Sequence, residues 1–253
     1  MPVPLILSLD TATLGGSVWL GMGSVELTSR IGDPAISQSA SLLSDISECL
    51  AEAGVKLGDV DLFACASGPG SFTGLRIGIA TLKALSASLQ RPCIGIPTLE
   101  AVAHSAGTSQ ASVALLPAGR GELFVQMFAV NEQGTVSELD SAAHLSPQKT
   151  VERYATVKKL RWAGGGAHAQ LEFLRAYARR HEINFFADAD DEDKTREQAG
   201  EVTWTLAPLE TNLAGHVAAL ARQRFLNGET QSPASLSAIY VRPSDAELNK
   251  QCR

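Results

Sequence analysis

No C-x-x-C pair occurs in this 253-residue chain, and its four cysteines, Cys49, Cys65, Cys93 and Cys252, are scattered. That pattern argues against a disulfide scaffold and a thiolate redox motif, and it suits a reducing compartment such as the cytoplasm. Cys65 and Cys93 stand in apolar, strand-like runs and read as inert core residues. Histidine is scarce: the five, His104, His144, His168, His181 and His216, include no two at a metal-gripping spacing. Dense basic runs are missing. The tightest, Arg179-Arg180-His181, reads as a solvated helix end, and a net charge of −6 with a pI near 5.4 argues against tight, autonomous binding of nucleic acid. No apolar run approaches the roughly 20 residues of a membrane span. The start, Met1-Pro2-Val3-Pro4-Leu5-Ile6-Leu7, lacks a basic leader and meets Asp10 early, so it reads as a strand rather than a signal peptide. No Ser/His/Asp or Cys/His set has a spacing that supports covalent catalysis.

What is present suits one large or two modest globular domains: 45% of residues are hydrophobic and 19% charged. The most informative stretch is 66–78, A-S-G-P-G-S-F-T-G-L-R-I-G. An apolar run, 62–66, precedes it and reads as a buried strand. Leu75, Ile79, Leu82, Leu85 and Leu89 follow at helical spacing. Gly68, Pro69 and Gly70 shape a tight turn, with Ser71 or Thr73 as the helix cap. Such a turn aims backbone N–H groups outward and could hold an anion. Gly74 and Gly78, one helical turn apart, leave a bare stripe where another helix could approach. Phosphate binding and partner docking both fit.

Strands are expected at 5–9, 17–20 and 25–30, and a helix at 37–53, with Leu42, Leu43, Ile46 and Leu50 on its buried side and Gly54 as its C-cap. After the strand at 62–66 and the helix to about 89 come a strand at 93–96 and a helix at 98–106. The order β-β-β-α-β-α-β-α predicts a mixed sheet with helices on its faces. A hinge is expected at 107–110. A second, similar pattern follows, with strands at 112–116, 123–130, 136–139 and 160–163, a short helix opened by Ser146-Pro147, and a helix at 168–180. Residues 188–201 are acidic and read as an exposed loop. An amphipathic helix spans 213–226, and a polar tail holds one strand-like element at 238–241. The expected domains are 1–108 with the returning helix at about 211–229, 109–210, and the tail 230–253.

Four pieces, L-S-L-D-T-A-T at 7–13, S-G-P-G-S-F-T-G-L-R-I-G at 67–78, G-I-P-T-L-E-A-V-A at 95–103 and I-Y-V-R at 239–242, together resemble the TsaB (YeaZ) family of tRNA threonylcarbamoyladenosine biosynthesis proteins, of the actin-like ATPase/glycoprotease-like superfamily. The resemblance covers nearly all of the first 105 or so residues. In the second half it rests on Arg120-Gly121-Glu122, the Gly164-Gly165-Gly166 turn and the tail. It implies an α/β, actin/sugar-kinase/Hsp70-like fold: two related domains, each a mixed five-stranded sheet flanked by helices. It also implies a non-catalytic subunit that pairs with a homologous TsaD-like catalytic subunit and, with a TsaE-like ATPase, transfers threonylcarbamoyl from its adenylate to the adenosine 3′ of the anticodon. The substrates are tRNAs reading codons that begin with A. By the same resemblance, ATP and metal belong to the partner subunits and none is held tightly by this chain, tRNA is met only through the complex, and no membrane is involved. The isolated chain would stay monomeric or pair with itself.

The metal-binding His pair of the catalytic relatives falls at Thr98 and Val102, which cannot replace imidazole ligands. No catalytic or metal residue is therefore expected, and the older metallopeptidase reading of the superfamily loses its basis. Asp10 and Thr11, in the hairpin that approaches ATP phosphates in the superfamily, and Gly165 and Gly166, at its adenosine side, mark a vestigial nucleotide site. The hairpin, with Leu14, Gly15 and Gly16, lacks the pattern of a working phosphate loop, so Asp10 reads as a partner for backbone groups of the hairpin and the Ser67 turn. Arg120 and Glu122 match an Arg-x-Glu of the family without the Asp that commonly precedes it. The interface is placed on Gly70, Thr73, Gly74, Arg76, Gly78 and Thr81, with the first helix beside it. The alternative reading is an autonomous ATP-dependent phosphotransferase of the same fold.

Overall fold

A computed structural model of the chain describes residues 3–187 and 202–241; the expected acidic loop at 188–201, Arg242 of the I-Y-V-R piece and Cys252 lie outside the described residues. The chain divides into two units, Met1–Ala101 with Thr211–Arg253, and Val102–Glu210. The division falls within a helix rather than at 107–110, and the segment after the last helix belongs to the first unit.

In the first unit, β1 (Leu5–Asp10), β2 (Ser17–Met22) and β3 (Val25–Ile31) form an antiparallel meander. It is followed by α1 (Gln38–Ala53), β4 (Leu62–Ala66), α2 (Phe72–Leu89), β5 (Cys93–Ile96) and α3 (Thr98–Ser105). The five strands lie in the order β3-β2-β1-β4-β5, with β4 parallel to both β1 and β5. Every residue of β1 and β4 is buried, as expected of central strands covered on both faces. Leu5, Leu7 and Leu9 share a core with Leu42 and Ile46 of α1 and Ile79 and Leu82 of α2. Gly54 closes α1 in the left-handed conformation, at φ 66°.

The opposite face is covered by α7 (Leu213–Leu226), which packs on β1, β2, β4 and β5. Two buried hydroxyls lock it there: Ser8 Oγ donates to the Ala214 carbonyl at 2.6 Å, and Ser17 Oγ accepts from Ala214 N at 3.0 Å. Arg224 donates to both carboxylate oxygens of Glu100, at 2.8 and 2.6 Å, and to the Gly95 carbonyl. The chain after α7 then straps the sheet. Gln231 exchanges backbone hydrogen bonds with Cys93, and its side chain accepts from Gly95 N at 3.0 Å, so the outer edge of β5 is capped. Leu236 is buried where a Cβ on Gly95 would sit, Lys83 Nζ donates to the Leu236 carbonyl, and Ile239 N donates to the Ser67 carbonyl at 2.7 Å. The expected strand at 238–241 is thus part of a strap: Ile239 is bonded to Ser67, and among the described residues no strand pairs with it.

The second unit contains β6 (Ser109–Pro117), β7 (Leu123–Val130), β8 (Val136–Glu138), β9 (Ala143–Leu145), α4 (Pro147–Tyr154), β10 (Lys159–Ala163), α5 (Gly165–Ala169), α6 (Leu171–Arg180), β11 (Asn184–Phe186) and β12 (Thr203–Leu206). Among the described residues its sheet has seven strands rather than five, in the order β11-β12-β10-β6-β7-β8, with β9 also on β7. Two departures from the expected plan account for this. The outer strand is broken into β8 and β9, which pair with the two ends of β7. Asp140 bridges the break, its Oδ1 accepting from Met127 N at 2.7 Å and its Oδ2 from the Tyr154 hydroxyl at 2.8 Å. At the far edge β11 is added outside β12. The core is aromatic: Trp162 and Trp204, fully buried, meet edge to face at 5.0 Å. No helix among the described residues is long and apolar enough to cross a membrane.

Leu236 tests whether the strap is part of the first core. Leu236→Ala is expected to cost about 3 kcal/mol in urea unfolding, the loss typical of a fully buried leucine; a loss under about 0.5 kcal/mol, as at a surface position, would show the strap to be dispensable.

Candidate functional site

The residues singled out in the first half gather around the N-terminus of α2. Ser71 is the N-cap, its Oγ accepting from Gly74 N at 3.2 Å. Ahead of it the Ser67-Gly68 turn is held from two sides. Thr98 Oγ1 accepts from Gly68 N at 3.0 Å while Thr98 N donates to the Gly68 carbonyl at 2.8 Å, and the strap reaches Ser67 through Ile239. Gly68 has φ 111° and lies against the Ile239 carbonyl, so a side chain is barred there twice over.

The glycine stripe is occupied by the chain itself. A Cβ on Gly70 would fall 2.5 Å from the Ala12 carbonyl, one on Gly74 would strike the Thr11 carbonyl, and one on Gly78 would strike the Thr11 hydroxyl. Ser71 N donates to the Ala12 carbonyl at 2.8 Å. Three glycines at four-residue spacing therefore open a groove along α2, and the loop after β1 lies in it. This corrects the expectation that Gly74 and Gly78 clear space for a partner helix: both are buried against Thr11. Gly70 and Thr81 are half-buried, and Thr73 and Arg76 are exposed.

The free face of α2 is a different one, made by Thr73, Arg76, Ala80 and Ala84, all exposed. The Arg76 guanidinium lies 3.9 Å over the Phe72 ring. Beside α2, α1 exposes Ala40, Leu43 and Ser47, with Ile36 just ahead of it. Leu43, expected in the core, is 66% exposed. The buried positions Leu42, Ile46 and Cys49 define one narrow face at i, i+4 and i+7, and 100° of rotation carries Leu43 off it. Counting that angle would have found the position from sequence.

Asp10 is fully buried at the end of β1. Its Oδ1 accepts from Ala12 N at 2.8 Å and Thr13 N at 3.3 Å, and its Oδ2 accepts from the Thr13 hydroxyl. Burial raises its pKa above the ordinary 3.8, and the hydrogen bonds from Thr13 and Ala12 partly oppose that. The bonds run to its own hairpin, and Thr98 and Ile239 hold the Ser67 turn instead. Gly15 and Gly16 are closed down as well: Gly32 N donates to the Gly16 carbonyl, and added side chains would meet the Gly32 carbonyl and Gln38. The cavity beside the hairpin measures about 10 Å³, room for a single water. In this loop the carboxylate is engaged by its own hairpin and the glycines pack on protein.

The second unit holds the remaining candidates. Gly164, at φ 89°, and Gly166 let α5 approach the β6 backbone, where added side chains would meet Leu115; Gly165 faces open space. At five residues α5 is too short to offer an N-terminal anion site, and the expected helix at 168–180 is divided into α5 and α6. Arg120 has φ 52° in the exposed β6–β7 loop, and Glu122 lies 2.9 Å from the His144 ring. Val102 is buried on α3. Among the described residues no three His, Cys, Asp or Glu side chains converge.

Three antiparallel strands followed by αβαβα, with the strands in the order β3-β2-β1-β4-β5 and the pattern repeated with additions in a second unit, define an actin-like α/β protein. Within that class the profile of the TsaD family, tRNA N6-adenosine threonylcarbamoyltransferase, matches residues 36–192, and the chain belongs to that family. It is similar to YeaZ from Pseudomonas aeruginosa, with a TM-score of 0.70 and 26% identity over 94% of this chain and 99% of that one. It is 32% identical over 152 residues to the tRNA threonylcarbamoyladenosine biosynthesis protein TsaB of Escherichia coli K12, covering 58% of this chain and 65% of that protein. It is 29% identical over 149 residues to a tRNA N6-adenosine threonylcarbamoyltransferase of Syntrophobacter fumaroxidans, covering 57% of this chain and 42% of that protein. The matches thus span less than two thirds of either relative's length. Both the TsaB resemblance and the actin-like fold expected from sequence are borne out.

Two outcomes follow from this geometry. Gly78→Ala is expected to destabilise the chain by about 2 kcal/mol in urea unfolding, because the added methyl displaces Thr11; a neutral result would mean the loop yields freely. For Asp10, the raised folded-state pKa means the folded chain binds the proton more tightly than the unfolded one. Asp10 therefore contributes less stability as pH rises from the ordinary 3.8 through the folded value. Asp10→Asn, which keeps an acceptor for the amides, should flatten the fall in Tm as pH rises above the ordinary 3.8. An unchanged pH profile would count against the burial effect.

Proposed function

We propose that this chain is a non-catalytic, TsaB-like scaffold subunit, acting in the cytoplasm. It pairs with a TsaD-like catalytic homologue during transfer of threonylcarbamoyl to the adenosine 3′ of the anticodon, in tRNAs reading codons that begin with A. One observation carries the reading: α1 and α2, which pack on each other, both expose small and apolar residues, Ala40 and Leu43 on α1 and Ala80 and Ala84 on α2, with Arg76 also exposed on α2. Small residues let a partner's helices approach closely, while an exposed leucine and an arginine are the kinds of anchor that interfaces use. Thr98 supports the non-catalytic part: at a metal-ligand position of the catalytic relatives, it is buried and bonded twice to Gly68. In this reading the nucleotide, the metal and the TsaE-like ATPase belong to the partner side, and tRNA is engaged by the assembly. The isolated chain would use the same α1–α2 face if it self-pairs. A phosphotransferase reading has less support, because the carboxylate and hairpin glycines it needs are engaged by the protein itself.

Ala80→Arg is the direct test. The residue is exposed in mid-helix, and arginine is a good helix former, so folding should be retained. Binding to the catalytic homologue, measured by calorimetry, should weaken at least tenfold, about 1.4 kcal/mol, with transfer activity of the mixture falling in step. Wild-type affinity in Ala80→Arg and in Leu43→Arg would sink the proposal.

A further inference from the structure

Phe72, the first residue of α2, is touched from two directions. Arg76, one helical turn on, lays its guanidinium 3.9 Å over the ring. Tyr240, from the strap, packs its own ring against Phe72, with centroids 5.7 Å apart and planes tilted by 44°. A guanidinium, a phenyl ring and a phenol thus form one ladder, from the exposed face of α2 to the end of the strap.

The strap end is anchored before it reaches Phe72. Lys83 Nζ, on α2, donates to the Leu236 carbonyl at 3.0 Å, and Ile239 N donates to the Ser67 carbonyl at 2.7 Å. The Ile239 carbonyl then lies against Gly68. Backbone bonds therefore deliver Tyr240 to Phe72, and among the described residues the Tyr240 hydroxyl makes no hydrogen bond. The ring is the part of Tyr240 that the contact uses.

Arg76 differs from Arg30, Arg91 and Arg224, which pair with Glu48 and Glu52, with Asp61 and with Glu100. Among the described residues Arg76 makes no ion pair, and its contact is the Phe72 ring. An exposed arginine without such a seat spreads over many rotamers and loses that freedom on docking. A guanidinium seated on a ring has lost much of it beforehand and keeps its N–H donors for a partner. The seat is only as fixed as the ring, and Tyr240 is what packs on the ring from outside α2.

We infer that Tyr240 is a positioning residue for subunit pairing: through Phe72 it holds the Arg76 guanidinium ready as an anchor for the catalytic homologue. This rests on the scaffold reading, in which the exposed α1–α2 face meets that homologue, and it adds the strap to the determinants of pairing.

Two measurements on the full-length chain separate the positioning from the pairing. In the isolated chain, the Arg76 Nε–Hε signal of an arginine-labelled NMR spectrum, assigned from Arg76→Lys, should carry a ring-current displacement. Tyr240→Ala should move it toward the place of an unstacked arginine, and Tyr240→Phe, which keeps the ring, should leave it where it is. Tyr240→Leu keeps apolar bulk without a ring and should match Tyr240→Ala, which guards against an alanine variant of lowered Tm. In calorimetry with the catalytic homologue, Arg76→Ala should weaken pairing at least tenfold and Tyr240→Ala about fivefold. The double variant should fall no more than about twofold below Arg76→Ala alone, because Tyr240 acts through Arg76. Tyr240→Phe should pair as the wild type does. An unmoved Arg76 signal in Tyr240→Ala and Tyr240→Leu would overturn the inference whatever the partner does. So would additive losses in the double variant, which would make Tyr240 a direct contact or a plain structural residue. If Ala80→Arg weakens pairing and Tyr240→Ala does not, the role of the strap falls and the scaffold reading stands. If neither variant weakens it, or the wild-type chains do not pair, the scaffold reading fails and takes the role of Tyr240 in pairing with it.

Discussion

The loop after β1 lies in a groove that only glycine can make. Gly70, Gly74 and Gly78 let the backbone of Thr11 and Ala12 reach the α2 axis, and much of the first unit is arranged around that approach. The same turn that starts α2 is gripped by Thr98 from α3 and by Ile239 from the strap. Three segments distant in sequence therefore converge on one helix terminus. The L-D-T, S-G-P-G-S and I-Y pieces occur together because each completes a contact the others leave open.

That arrangement divides α2 into three faces with separate duties. Leu75, Ile79 and Leu82 fill the core, the glycines seat the hairpin, and Thr73, Arg76, Ala80 and Ala84 remain outside. In the proposed scaffold role the first two faces fix the position of the third. The loop after β1 is built into that support, with the Asp10 carboxylate turned onto its own hairpin.

Much of this was legible in the residues alone. The spans Cys93–Ile96, Leu123–Val130 and Leu213–Leu226, and the Gly54 cap, follow from period, β-branched content and terminator residues acting over a few positions. The short strands β9, β11 and β12 were not, because three or four residues carry too little periodicity, and their pairing, β9 with β7, β12 with β10 and β11 with β12, is a tertiary fact. The candidate docking helix was visible, but its face was not. A small-residue stripe looks alike whether its neighbour is another chain or a loop sixty residues earlier, and only the position of Thr11 separates the two.

The return of α7 has a bearing on how the chain acquires its structure. The second unit is one unbroken stretch, Val102–Glu210, whereas the first needs residues from both ends of the polypeptide. Until α7 has left the ribosome, the face of the first sheet that includes Ser8 stays uncovered, and until the strap follows, the edge of β5 stays open. The later-encoded unit thus has all its parts available before the earlier-encoded one, reversing the usual N-to-C order of domain formation during synthesis.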